Sequence, residues 1–198
     1  MSDAAPPTGA TARSRRWKAV VGVLICAVVV ALAVGLFTSI GTSTASGPPQ
    51  AGGMAPRFSL PGLNVAGDVG TPGSGGGAGK PVVVLFMGDW CTICHSELPP
   101  LAARITALRS EHGAFGRLAV IGVDSEDTLS DAQSFIKSSG ISFPVGDDAT
   151  AHVMSGVYEF KGDPYAVFIE GTGRIMTIHP GPLSPSQFVT LARELLAS

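Results

Sequence analysis

The chain has 198 residues with 13 Lys and Arg against 15 Asp and Glu, a formal charge of -2. That length allows one ordinary domain plus extras. The near-neutral balance argues against a nucleic-acid surface, and three Cys exclude a disulfide-rich scaffold. Hydrophobic residues make up 45% while only 14% are charged, where a soluble domain averages about 25% charged.

The apolar excess begins at the N-terminus. Residues 1–18 read as a basic cytoplasmic segment, with Arg13, Arg15, Arg16 and Lys18 around Trp17 and no acid after Asp3. Ala19 to Phe37 is then a 19-residue run without a charge. As a helix it would be about 28 Å long, against a hydrocarbon core of about 30 Å. The basic flank keeps the N-terminus in the cytoplasm and sends the rest of the chain across. A single-pass anchor is the preferred reading. The competing one is a signal peptide cleaved near Ala45, after Ser43-Thr44, which would release the domain. Cys26, mid-run after Leu24-Ile25, reads as a small packing residue and not as a lipid-attachment site.

Residues 38–54 read as a flexible linker and residues 55–198 as the folded domain. Between Gly41 and Lys80 there are 12 Gly and 5 Pro, too little apolar surface to bury much. Within that stretch Ala55 to Gly62 alternates briefly and predicts a first strand, whereas Thr71 to Gly79 predicts a loop. Residues 41–198 hold 9 Lys and Arg against 14 Asp and Glu, so the outer part is mildly acidic.

Pro81 to Met87 (PVVVLFM) is a continuous apolar run suited to a strand covered on both faces. Leu98, Leu101, Ile105 and Leu108 recur at helical spacing after it, with Pro99 expected to kink or break the helix. Leu118 to Val123 predicts a second core strand. Asp127 to Ser138 predicts a helix with Leu129, Ala132, Phe135 and Ile136 inward and Gly140 as its stop. Phe143 to Val145 predicts a short strand and Thr150 to Ser155 a weak helix. Tyr165 to Glu170 and Arg174 to Ile178 predict a hairpin across Gly171-Thr172-Gly173. Ser184 and Pro185 open a last helix with Phe188, Leu191 and Leu195 inward. The order gives an α/β domain with a central mixed β-sheet flanked by helices.

The chemistry centres on Cys91-Thr92-Ile93-Cys94, between a buried strand and a helix start. A thiolate attacks disulfides where a neutral thiol barely does, and the positive end of a helix stabilises it. Cys91 is expected exposed as the nucleophile, and Cys94 shielded, resolving the mixed disulfide. Other readings stay open. A zinc site needs about two further ligands that the scattered His do not supply. A structural disulfide would close a tiny loop and stabilise little. Cys91 to His95 also matches the haem attachment pattern C-x-x-C-H, which would make the protein an electron carrier. Copper delivery through Cys91, Cys94 and a His is a further reading.

Phe86 to Pro99, with Trp90-Cys91-x-x-Cys94 followed by Glu97 and Pro99, resembles the active-site segment of thioredoxin-like proteins. It is most similar to the membrane-anchored TlpA/ResA-type thiol-disulfide oxidoreductases. Ala55-Pro56-Arg57-Phe58, Ile141 to Val145 and Gly162-Asp163-Pro164 followed by Tyr165 to Ile169 resemble that family's other segments, so the likeness spans the folded part. The resemblance implies a thioredoxin-like fold, protein thiols or disulfides as substrates, and no cofactor beyond the redox-active Cys91–Cys94 disulfide. It implies a role in processes such as cytochrome c maturation, and a transmembrane electron donor if the protein reduces its clients. It also makes Pro164 a cis-proline facing the Cys pair, with Trp90, Asp163 and Pro164 contacting substrate.

Asp163 stands where the family usually has Thr or Val, and a carboxylate there would raise the Cys91 pKa. Leu85 occupies the place of a buried carboxylate found in many thioredoxins. His95, when protonated, and Glu97, read as lying in the helix's first turn, are the other candidate modulators. The related peroxiredoxin-type thiol peroxidases place Thr three residues before the reactive Cys, where this chain has Cys91 ahead of Cys94. His112, His152 and His179 read as surface residues.

Overall fold

The computed structural model describes residues 47–71, 79–111 and 113–198. The expected membrane span at 19–37, Cys26, the cleavage position at Ala45 and His112 lie outside the described residues. Among the described residues no helix is long and apolar enough to cross a membrane.

Among the described residues seven strands and three α-helices follow in order: β1 (Ser59–Pro61), β2 (Asp68–Gly70), β3 (Val82–Met87), α1 (Thr92–Ser110), β4 (Ala119–Ser125), α2 (Leu129–Ser138), β5 (Val145–Asp148), β6 (Tyr165–Ile169), β7 (Ile175–Pro180) and α3 (Pro185–Ala197). A 3-10 turn (Ala114–Arg117) precedes β4 and a π-helical turn (His152–Val157) follows β5. The main sheet runs β5-β4-β3-β6-β7, with β3, β4 and β5 parallel and β6 and β7 antiparallel. β3 lies at its centre with all six residues buried, which is why its sequence is an unbroken apolar run.

Alternation along β3 divides the core. Val83, Leu85 and Met87 face Cys94, Leu98, Leu101 and Ile105 of α1, Phe135 of α2 and Phe188 of α3. Val82, Val84 and Phe86 face the β1–β2 hairpin and an aromatic group that includes Phe58, Tyr158 and Phe160. The buried Tyr158 hydroxyl donates to the Pro56 carbonyl at 3.3 Å. Gly122 of β4 pairs with Leu85, and a Cβ there would meet Met87 Cε at 2.2 Å and Val145 Cγ2 at 3.1 Å. We expect Gly122→Ala to cost about 1–3 kcal/mol by overpacking, read as a lower midpoint in urea unfolding.

Several elements depart from the sequence reading. Helix α1 continues through Pro99 and Pro100, so of the kink or break expected at Pro99 there is no break. Each proline removes a helical donor, but the helix continues past both, with Leu98, Leu101, Ala102, Ile105 and Leu108 buried to hold it. Leu129 is 57% exposed instead of inward. It is the first residue of a helix that starts later than expected, after Thr128 as N-cap, so it lies ahead of the packed face of Ala132, Phe135 and Ile136. Gly140, at φ 64°, ends that helix as its sequence implied, with Ile141 N–H donating to the Ile136 carbonyl.

The expected weak helix is a π-helical turn, opened by Ala151 in the left-handed region and held by the Asp148 carboxylate, which accepts from Val153 and Met154 N–H. Leu191 packs against the core as expected but is only partly buried. Strand β2 falls in a stretch that carried no strand signal. Gly52, Gly53 and Ala55 hydrogen-bond to Gly173 and Ile175, so ordered pairing already includes residues placed in the linker.

Candidate active site

The functional residues converge because of sheet topology. β3 delivers the chain to Gly88-Asp89-Trp90 and then to α1. β6 runs antiparallel to β3 with Phe86 opposite Tyr165, so Asp163-Pro164 lies beside the end of β3 from which the Cys loop departs. β4 runs parallel with Met87 opposite Asp124, which brings Asp124 to the same end.

Cys91 is the N-cap of α1 and forms a disulfide with Cys94 (S–S 2.14 Å, Cα–Cα 5.2 Å). Cys94 N–H donates to Cys91 Sγ at 3.2 Å. The pair therefore sits at the positive end of a 19-residue helix, where a thiolate would be favoured once the disulfide opens. Cys91 is only 4% exposed, against the expectation that it would face solvent. Bonded to Cys94, its sulfur turns into the helix end. Cys94 is fully buried, as expected.

Trp90 is 45% exposed beside the pair, its indole N–H donating to the Ser125 carbonyl at 2.7 Å. Ile93 is also exposed, so the pair has apolar neighbours on both sides of Cys91, of which the sequence reading singled out Trp90 alone. Gly88 is required by close approach, since a Cβ would lie 2.5 Å from Trp90 Nε1 and 2.9 Å from the Ser125 carbonyl oxygen.

His95 is exposed but not free. Its Nε2 donates to the Asp89 carbonyl at 2.7 Å, Asp89 Oδ1 is 3.4 Å away, and its ring contacts Phe135 edge-on. Glu97 lies in the second turn of α1 and not the first, because the helix starts at Thr92. Its carboxyl is half-buried with one oxygen unpartnered. Burial pushes its pKa up, partly countered by a hydrogen bond from the Leu183 backbone. The reading of Glu97 as a simple complement to the helix dipole therefore fails.

The Asp163–Pro164 peptide is cis, and Pro164 is buried. Both Asp163 carboxylate oxygens are buried without a hydrogen bond. Burial, then the charges of Glu126, Asp127 and Asp148, raise its pKa to about 7. Sequence reading missed Asp124, which is 1% exposed. Burial first, then Asp127 as neighbouring charge and hydrogen-bond partner, then Asp147 and Asp163, raise its pKa to about 8. Among the described residues no group of three His, Cys, Asp or Glu side chains could hold a metal ion. His152 is exposed as expected, whereas His179 is only partly exposed and its Nδ1 is buried without a partner.

A mixed sheet with three helices on one face, a Cys pair capping α1 and a cis-proline opening the neighbouring antiparallel strand define a thioredoxin-like α/β fold. The chain belongs to the AhpC/TSA family, whose model matches residues 51–177. It is similar to the thiol-disulfide oxidoreductase ResA of Bacillus subtilis (26% identical over 108 residues, 54% of this chain and 57% of that protein). It is similar also to the thiol:disulfide interchange protein HelX of Rhodobacter capsulatus (28% over 119 residues, 60% of this chain and 62% of that protein). The chain thus spans less than two thirds of either relative. The crystal structure of a thiol:disulfide interchange protein of the thioredoxin family from Chlorobium tepidum TLS shares the fold, with TM-score 0.60 at 22% identity over 77% of this chain and 99% of that one.

Proposed function

We propose that the protein is a thiol-disulfide oxidoreductase that exchanges disulfides with client proteins through Cys91 and Cys94. The observation that carries this reading is the Cys91–Cys94 disulfide at the N-terminus of α1, on the same sheet end as the Asp163–Pro164 cis bond. The names of the ResA and HelX relatives support it.

In the reducing direction the Cys91 thiolate attacks a client disulfide. One client thiolate leaves and a mixed disulfide forms. The Cys94 thiolate then attacks Cys91 Sγ, the second client thiolate leaves, and the pair closes after passing two electrons to the client. The oxidising direction reverses each step. Glu97 lies three residues after Cys94, on the neighbouring position of the same helix face, and its half-buried carboxyl serves to exchange a proton with Cys94. Trp90 and Ile93 give clients an apolar landing surface, and the backbone ahead of Pro164 pairs with an extended client segment. The pair is the only redox group in this scheme, so the purified protein should show no haem absorbance.

The domain works outside the cytoplasm, tethered by residues 19–37, and the supporting feature is the basic flank before an uncharged 19-residue run. Apocytochrome thiols are candidate clients. A reductase role would require a transmembrane electron donor.

The experiment is equilibration with glutathione buffers and alkylation of the remaining thiols. Exchange is expected, and its midpoint sets the direction. A potential near that of glutaredoxins, about −200 to −230 mV, or below marks a reductase, and one near about −120 mV an oxidant. A pair that does not exchange sinks the reading. The second reading is a thiol peroxidase of the related peroxiredoxin type. Slow or absent peroxide consumption is expected, because Cys91 occupies the Thr place of that chemistry; rapid turnover would reverse the order of the two readings.

A further inference from the structure

The mechanism above leaves the buried carboxyl of Asp124, 1% exposed, unused. Asp124 points to the face of the sheet that holds the Cys pair, since it pairs in register with Met87, and one of its oxygens has no hydrogen-bond partner. Asp127, three residues on, is its neighbouring acid and side-chain hydrogen-bond partner. Asp127 Oδ2 in turn accepts the backbone N–H of Asp89, two residues before Cys91. The segment between is packed onto the residue after Asp124: the Trp90 indole donates to the Ser125 carbonyl, and Gly88 approaches the same oxygen too closely for any side chain. A continuous chain of contacts thus runs from Asp124 through Asp127 and Asp89 to Trp90 and Cys91.

Two carboxyl groups can hydrogen-bond to each other only while one of them keeps a proton. We propose that Asp124 and Asp127 share one proton and thereby hold the Asp89–Trp90 loop in place, which makes Asp124 a positioning residue for disulfide exchange at Cys91. Loss of that proton sets two negative charges against each other and loosens the Asp127 hold on Asp89. The groups that face the pair are acidic from every side. Asp147 stands opposite Asp124 on β5, Asp163 opens β6, and Glu126 and Asp148 lie close by. His95, through its contact with Asp89, is the one basic neighbour on this chain of contacts. The surrounding acids favour keeping the proton, and the burial of Asp124 acts in the same sense.

The claim about exchange rests on the proposed function, but the proton pair is testable without it. Oxidised full-length protein carrying Trp17→Phe leaves Trp90 as the single indole reporter. Its emission is followed from pH 5 to 10 with and without Asp124→Asn. Asparagine keeps the shape, donates to Asp127 at every pH and does not titrate.

The expected result is that the two curves differ by one step centred near pH 8. Coinciding curves overturn the proposal. If Asp124→Asn does not fold, Asp127→Asn replaces it. That change keeps an acceptor for Asp89 N–H but removes the like charge, so the step should move to lower pH; an unmoved step overturns the proposal. In the reduced protein, the ratio of exchange rates at pH 9 and pH 6.5 with oxidised glutathione should rise about threefold or more on Asp124→Asn, since the thiolate no longer meets a charge that appears between those values. An unchanged ratio, with the fluorescence step present, confines Asp124 to a structural role.

Discussion

Replacing Cys94 with Ser is expected to trap client proteins covalently on Cys91. The trapping follows from the order of the two attacks. Cys91 caps the helix, and its sulfur accepts the Cys94 N–H, so the helix end already favours negative charge on that atom. Cys94 is fully buried and bonded to Cys91. Without Cys94 the mixed disulfide forms but has no internal thiolate to release it. Multiple-turnover exchange should drop to the uncatalysed rate, while adducts sensitive to dithiothreitol accumulate on non-reducing gels. Cys91→Ser should lose turnover equally and form no adducts. Adducts through Cys94 in the Cys91→Ser protein would invert the assigned roles.

Asp163→Asn is expected to stabilise the protein at pH 8 and to change little at pH 4. The folded-state pKa of Asp163, about 7, lies above its ordinary value of 3.8, chiefly because its carboxyl is buried with no hydrogen bond. For an acid raised in this way the native state binds more protons than the unfolded chain between those two values. Its contribution is fully present below about pH 3.8 and is lost as pH rises through about 7. At about 1.4 kcal/mol per pKa unit, and discounted for partial exposure, ionised Asp163 costs on the order of 2–3 kcal/mol at pH 8. The Asn variant should melt several degrees higher there, with the two curves converging towards pH 4. Equal melting temperatures at pH 8 would mean that Asp163 ionises in the native protein at no cost.

Much of this site was legible in the chain. An uninterrupted VVVLFM run announced the central strand because burial on both faces leaves no polar position in it. The Cys pair stood out by residue type at a fixed spacing, and the Asp163–Pro164 step through the resemblance of Gly162-Asp163-Pro164 to the family's Gly-x-Pro segment. Helix α1 was legible from its apolar face, yet its passage through two prolines was not, since packing decides that and local preference opposes it.

Asp124 escaped notice for a similar reason. It follows the apolar run LAVIGV and looks like a strand ending in solvent. Its burial is set by Met87, Asp127 and Asp147, which the sheet assembles from separate segments. Strand β2 is three residues long in a Gly-rich stretch and is held by register with β1 and not by composition. The burial of Cys91 was not legible because it is set by the bond to Cys94 and by the helix end and sheet edge that the fold packs around it.

The most direct measurement mixes the reduced protein with a peptide bearing one disulfide, quenches by alkylation at intervals, and weighs both partners. Cys91 and Cys94 are expected to lose their two thiols as the peptide gains two, through a transient adduct on Cys91. A peptide that stays oxidised beside a protein whose Cys91 and Cys94 stay reduced would contradict this.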